Sequence, residues 1–326
     1  MKASETAQRW AAAINTVTIG ATAAEKGTRG KVVTIGGAKC IPWMSYEGDI
    51  GNRPAIALEV WDSRGETWPA GLQSLYGDAL KDTVTWAKKA AEFGADLICL
   101  RLDGTHPDLG DRGADESVAL VKSVLAAVDL PLIIWGCGIA EKDNIVLPRV
   151  SEAARGENCL IGTATDKNYR TLVASCLADG HKLLAESPLD INIAKQVNIL
   201  AHDAGFPLEN IVMFPTTAAM GYGFDYVLSI MERGRLAGIG GDQLLMQPVL
   251  CDVGLESWRV KEANAGDDSM PGYGPLAERA LMWETLTATN YLQAGGDILV
   301  MRHPGAVKLV RDTIDKLVAG AKALAA

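Results

Sequence analysis

Ile211-Val212-Met213-Phe214, running into Pro215-Thr216-Thr217-Ala218-Ala219-Met220-Gly221-Tyr222-Gly223, and Pro248-Val249-Leu250-Cys251, running into Asp252-Val253-Gly254, are two apolar runs that each end in a small polar cluster. Between them, Phe224, Val227, Leu228, Met231 and Leu236 recur at helical spacing and share one face. The order is strand, helix, strand. Such a unit crosses over right-handed to lay two parallel strands in one sheet, and ligands collect at the carboxyl ends of those strands. Function is therefore expected just after Phe214 and Cys251.

Working outward, the same pattern recurs from Pro54 onward. Apolar or alternating runs begin near Ala55, Leu97, Leu132, Cys159, Lys182, Ile211, Val249 and Ile298, eight in all. The intervals Asp78 to Phe93, Asp115 to Val128, Lys142 to Ala154, Asn168 to Ala178, Ile191 to Ala204, Phe224 to Leu236 and Leu276 to Leu292 are long enough for crossover helices, and Ala306 to Leu317 supplies a last one. Eight strands each followed by a helix describe an α/β fold of the TIM (β/α)8 barrel type over residues 54–326. An open doubly wound sheet would carry a Gly-rich fingerprint after its first strand, and neither G-x-G-x-x-G nor a Walker A sequence stands in that position. Residues 1–53 are expected to form a cap, with a short N-terminal helix from Ala3 to Ile14 and then a β-hairpin made of Val17-Thr18-Ile19-Gly20 and Val33-Thr34-Ile35-Gly36. Ser257 to Pro275, the longest irregular piece, reads as a lid or contact loop.

Composition narrows the function classes. With 326 residues, 48% hydrophobic and 22% charged, the chain can bury a large core, and a net charge of −9 argues against nucleic acid as a partner. The first residues lack a signal-peptide pattern, and no run reaches the roughly 18 apolar residues of a membrane span, so a cytoplasmic protein is expected. Six cysteines, at 40, 99, 137, 159, 176 and 251, include no C-x-x-C pair, so neither a zinc knuckle nor an iron-sulfur run is written here.

On a barrel, the strand ends bring together Asp62, Asp103 with Gly104-Thr105-His106, Gly136-Cys137-Gly138, Thr163-Ala164-Thr165, Glu186-Ser187, Thr216-Thr217, Asp252 and Arg302-His303. Hydroxyls, glycines and backbone amides predominate, which suits holding a large polar ligand more than acid-base chemistry. Cys137 reads either as a place where backbone approaches a ligand or as an inert thiol. Among the histidines only His106 and His303 can converge, and rim histidines also cap helices. Lys167 is the nearest Schiff-base candidate and otherwise begins an exposed helix. Glu59 faces the interior of the first barrel strand and needs a buried partner, for which Arg101 on the next strand is the candidate. Arg302-His303-Pro304-Gly305 reads either as a phosphate site at a helix N-terminus or as ordinary helix punctuation.

Three long stretches carry a resemblance: Ala55-Ile56-Ala57-Leu58-Glu59-Val60-Trp61-Asp62, Val212 through Gly223, and Gln247-Pro248-Val249-Leu250-Cys251-Asp252-Val253-Gly254. Through them the chain resembles the small subunit of the corrinoid iron-sulfur protein of the reductive acetyl-CoA (Wood-Ljungdahl) pathway. The resemblance implies a TIM barrel that forms a heterodimer with a large subunit carrying a [4Fe-4S] cluster and a flavodoxin-like corrinoid domain. The corrinoid (cobalamin) is then shared between that domain and the barrel. It takes a methyl group from a methyltetrahydrofolate-dependent methyltransferase and passes it to acetyl-CoA synthase/CO dehydrogenase. Corrinoid contacts are implied at Thr216 and Thr217 first, then at Gly136, Cys137, Asp252, Arg302 and His303. No catalytic residue and no protein ligand to a metal is implied. The D-x-H-x-x-G run of many corrinoid proteins is absent, so His106 is not assigned to cobalt. The competing reading is a barrel methyltransferase that binds methyltetrahydrofolate itself, holding the pterin ring with Asp62, Asp103 and Asp252.

Overall fold

A computed structural model describes residues 5–325. Strands β1 (Thr16–Ile19) and β2 (Val33–Gly36) pair antiparallel as the expected hairpin. Eight further strands follow: β3 (Ala55–Trp61), β4 (Leu97–Arg101), β5 (Leu132–Trp135), β6 (Leu160–Ala164), β7 (Lys182–Glu186), β8 (Ile211–Phe214), β9 (Val249–Cys251) and β10 (Gly296–Met301). They close a parallel barrel in chain order, with β10 paired to β3. Each begins within two residues of the start read from the alternation. The sequence pattern and the fold agree on a TIM barrel.

Helices alternate with the strands. α1 (Ala70–Tyr76) and α2 (Thr83–Glu92) both lie between β3 and β4, and α3 (Ala114–Ala127), α4 (Ala140–Ala153), α5 (Tyr169–Asp179), α6 (Ile191–Asp203) and α7 (Phe224–Ile239) follow one per strand. The short α8 (Val253–Ser257) and the long α9 (Leu276–Ala294) separate β9 from β10, and α10 (Pro304–Ala325) closes the chain. Local sequence sets the ends. Asp82 accepts from the Thr85 amide at 2.8 Å and Asp190 from the Asn192 amide at 2.7 Å, each satisfying a donor that the first turn leaves unpaired. α5 and α9 stop at Gly180 and Gly295, whose φ of 79° and 99° suits glycine.

The two faces of the strands build two cores. Ile56, Leu58, Val60, Ile98, Leu100, Leu132 and Ile134 point outward and pack against the helices. Ala55, Ala57, Leu97, Cys99, Ile133, Leu160, Leu184, Val212, Leu250 and Ile298 point inward, and there they meet Val17, Ile19 and Ile35 of the hairpin. The hairpin thus stoppers the amino end of the barrel. Ile19 and Ile35 are fully buried, which contributes about 1.5–3 kcal/mol each. Asn158, just before β6, donates to the Thr18 carbonyl at 2.9 Å and locks the stopper in place.

Among the described residues, the helix expected over Ala3 to Ile14 does not form between Ala7 and Ile14. Ala3 lies outside the described residues, and from residue 7 to 15 the chain runs without helix. Its amides turn to neighbours instead: Ala12 donates to the Ile239 carbonyl at 2.9 Å, Ile14 to Ala38 at 2.8 Å and Asn15 to Met246 at 2.7 Å. So short a helix is marginal by itself, and pairing across the barrel base gives each of these donors a partner while burying Ile14.

The stretch from Ser257 to Pro275 is irregular apart from two single 3-10 turns, as expected for a loop. Arg279 of α9 ties it down, donating to the carbonyls of Glu262 at 2.6 Å, Gly274 at 2.8 Å and Ala265. Among the described residues no helix is long and apolar enough to cross a membrane.

Candidate functional site at the barrel mouth

Alternation sets what reaches the carboxyl end of the interior. β3 turns Glu59 and Trp61 inward, β4 Arg101, β5 Trp135 and β8 Phe214, and the residues just past β9 and β10 are Asp252 and Arg302. These side chains join in one network. Glu59, with no exposed surface, accepts from Arg302 Nε at 2.6 Å and Nη2 at 3.2 Å, and from Trp61 Nε1 at 2.6 Å. Arg101 Nε stands 2.5 Å from the same carboxylate, and Arg101 Nη2 reaches Asp252. The guanidinium of Arg101 lies over the Trp135 ring, 4.1 Å from its centroid, and that of Arg302 over Trp68 and Trp61 at 4.6 and 5.1 Å. The sequence pairing of Glu59 with Arg101 is present, extended by Arg302.

Burial by itself would push the Glu59 carboxyl up, and the two guanidinium groups reverse this, holding it at about 2. Glu59 is therefore charged at neutral pH. On the far side of Arg302, Glu284 of α9 accepts from the Arg302 amide at 2.6 Å and from Trp258 Nε1 at 2.6 Å, and it takes the His303 amide at 3.1 Å. It faces backbone and indole N–H groups where Glu59 faces cations. Burial prevails there, and its carboxyl is pushed up to about 7.

Above the network opens a cavity of about 420 Å³ walled by Trp61, Trp135 and Phe214, with Asp252, Glu186 and Thr216 on its polar side. Trp135 and Phe214 meet edge to face at 4.9 Å. A second cavity of about 490 Å³ adjoins it, and the two share Gly138, Glu186 and Thr216. Four buried polar atoms in these walls, Arg64 Nε, Arg101 Nε, Asp252 Oδ1 and Ser187 Oγ, make no hydrogen bond among the described residues, and of these Arg101 Nε is ion-paired with Glu59.

Of the residues expected to contact a ligand, Thr216, Thr217, Gly136, Cys137 and Asp252 line the mouth together. Thr216 adopts φ 65°, rare for a β-branched residue, and its hydroxyl donates to the Ser187 carbonyl at 2.7 Å. The Thr217 hydroxyl accepts from the Asp252 amide at 2.7 Å, so it holds the wall from within. Asp143 accepts from the amides of Cys137 at 2.9 Å and Gly138 at 3.0 Å, and a Cβ on Gly136 would collide with that carboxylate, which is why glycine stands there. Burial raises the Cys137 thiol above its usual value, the opposite of activation. Arg302 sits beneath the cavity within the ion network. His303 is apart from the others: its Nδ1 accepts from the Gly305 amide at 2.9 Å, capping α10, and its ring stacks on Trp258 beside a separate crevice of about 180 Å³.

The other rim candidates have internal partners or face solvent. Asp62 accepts from the Gly104 amide at 2.6 Å and pairs with Arg112 at 2.9 Å, and Asp103 pairs with Arg64. His106 Nδ1 accepts from the Asp108 amide at 3.1 Å, and Lys167 is exposed. Sequence reasoning missed Trp61, Trp135 and Phe214 as cavity walls. The signal was available, because the period that turns Glu59 inward turns these inward too.

A model of the CO dehydrogenase/acetyl-CoA synthase delta subunit family matches residues 16–311, nearly the whole barrel and its stopper. The chain belongs to that family. It is 36% identical over 310 residues to the acetyl-CoA decarbonylase/synthase complex subunit delta of Archaeoglobus fulgidus, covering 93% of this chain and 68% of the relative. Against the subunit delta of Methanopyrus kandleri the identity is 31% over 306 residues, covering 93% and 75%. The fold is also that of dihydropteroate synthases: the enzyme from Coxiella burnetii, solved with pteroic acid, superposes with a TM-score of 0.55 at 15% identity over 83% of this chain and 95% of the enzyme. At that identity the likeness is one of fold. Within the delta family the matched span takes in every residue of the mouth.

Proposed function

We propose that this chain is the small subunit of a heterodimeric corrinoid iron-sulfur methyl carrier and forms half of the corrinoid cradle. Its partner is a larger subunit that carries the [4Fe-4S] cluster. The exchange partners are a methyltetrahydrofolate methyltransferase and acetyl-CoA synthase/CO dehydrogenase, and the setting is cytoplasmic. The observation that carries this reading, beyond family membership, is the pair of buried acceptor atoms without a hydrogen bond, Asp252 Oδ1 at the mouth and Ser187 Oγ in the adjoining cavity. A buried polar atom without a partner is uncommon, and a ligand rich in N–H donors satisfies both. A corrinoid is such a ligand, edged with carboxamides. When bound it supplies the cobalt that accepts and releases the methyl group.

The residues of this chain bind and orient. Trp61, Trp135 and Phe214 give the cavity rigid apolar walls, and the buried ion network beneath holds two of those rings in place through stacked guanidinium groups. A corrinoid macrocycle would exceed a cavity of about 420 Å³, so the walls of this chain would hold only part of it and a second subunit would be needed to hold the rest. Two of the carboxylates a pterin would use favour the carrier reading, since Asp62 and Asp103 already hold Arg112 and Arg64.

Mild affinity purification of the native chain, followed by subunit masses and a visible spectrum, tests the proposal. A stoichiometric larger partner with cobalt and iron-sulfur absorbance is the expected outcome. A colourless chain without that partner, with tight binding of methyltetrahydrofolate by the isolated chain, would replace it with the pterin-binding methyltransferase.

A further inference from the structure

The cavity of about 490 Å³ beside the mouth has walls with a chemical bias of their own. Four carboxyl groups border it, those of Glu141, Asp143, Asp166 and Glu186, against the single ammonium of Lys167. Asp143 is turned onto the amides of Cys137 and Gly138, which leaves the other three to set the field at its entrance. An anion entering there meets like charge, whereas a neutral group that donates hydrogen bonds meets acceptors. Ser187, 2% exposed, lies in the wall with its hydroxyl unpartnered. A hydroxyl both donates and accepts, which matches a group with an N–H donor and a carbonyl on the same carbon. Glu186, shared with the mouth, connects this pocket to the place assigned to the ligand.

Resting on the corrinoid reading above, we infer that the second cavity is a subsite for a neutral primary carboxamide arm of the ligand, read by Ser187 and Glu186 and closed to the corresponding carboxylate. The subsite works by exclusion as well as attraction. Replacing the amide by an acid places a negative charge among carboxyl groups and takes away the N–H donors.

The assembled, corrinoid-free complex would be titrated with cobalamin and with cobalamin monocarboxylates, each having one peripheral amide hydrolysed, following visible absorption. The wild-type complex is expected to prefer cobalamin over at least one monocarboxylate by about tenfold or more, and Glu186→Gln to narrow that gap by relieving the repulsion. Ser187→Ala is expected to loosen cobalamin by about fivefold, the equivalent of one hydrogen bond. The same variant leaves the melting temperature of the corrinoid-free complex unchanged or raised, because the deleted hydroxyl has no partner there. Equal affinity for cobalamin and every monocarboxylate overturns the inference and leaves the corrinoid reading standing. So does a Ser187→Ala complex that binds cobalamin as tightly as wild type. A wild-type complex that takes up no cobalamin overturns both.

Discussion

The two ends of the barrel interior are made by the same strands with the same alternation, yet they solve opposite problems. At the amino end the inward positions are Ala55, Leu97, Ile133 and Ile298, and the hairpin seals them with Val17, Ile19 and Ile35. At the carboxyl end, a few residues further along, the inward positions are Glu59, Arg101, Asp252 and Arg302, joined into one ion network. The apolar end gains stability from area removed from water. The charged end gains little net stability, because desolvation offsets the attraction, but every member is bound to a defined neighbour. One end closes the barrel and the other holds a surface in a fixed shape.

The sharpest way to break this contrast is Glu59→Ala, which leaves two buried guanidinium groups without their shared carboxylate. A loss of about 3–5 kcal/mol in denaturant unfolding is expected. Next comes pH, which acts in opposite directions on the two sides of Arg302. The Glu284 carboxyl is pushed up to about 7 from 4.5, so the folded state keeps that proton where the unfolded chain has lost it. Its contribution is full below pH 4.5 and is lost as pH rises through 7, a change of up to about 3 kcal/mol. Glu59, held at about 2, contributes above pH 4.5 and loses its contribution as pH falls toward 2. Comparing unfolding at about pH 5 and about pH 8, Glu284→Gln should reduce the penalty of the higher pH relative to wild type. The difference between the two proteins removes the histidine contributions common to both.

At the stopper, Ile35→Ala should cost about 2–3 kcal/mol by opening a void among fully buried neighbours, measured in the same way. The smallest expected effect is Thr217→Val, at about 1–2 kcal/mol, because it leaves the buried Asp252 amide without its acceptor. On the proposed carrier role, corrinoid retention in the assembled complex should fall in that variant too, since Asp252 lines the mouth.

The barrel was legible because its signals are local and repeated. Each strand shows its own alternation and each helix its own period, and eight repeats leave little room for another topology. The Glu59 to Arg101 pair was legible for the same reason, as two interior positions on neighbouring strands. Arg302 read as a rim residue because it stands past the end of β10, although Ile298 and Val300 already set the phase that carries it inside. Glu284 could not have been found this way. It reaches the network from α9, and helical spacing does not reveal that its face meets the end of β10. The helix misread over Ala3 to Ile14 failed for a related reason: its backbone partners, Ile239, Ala38 and Met246, are distant in sequence.

The hairpin also decides which end of the barrel can serve as a binding face. With the amino end covered by Val17, Ile19 and Ile35 and the interior filled by side chains, the carboxyl mouth is the end of the barrel left open to a ligand.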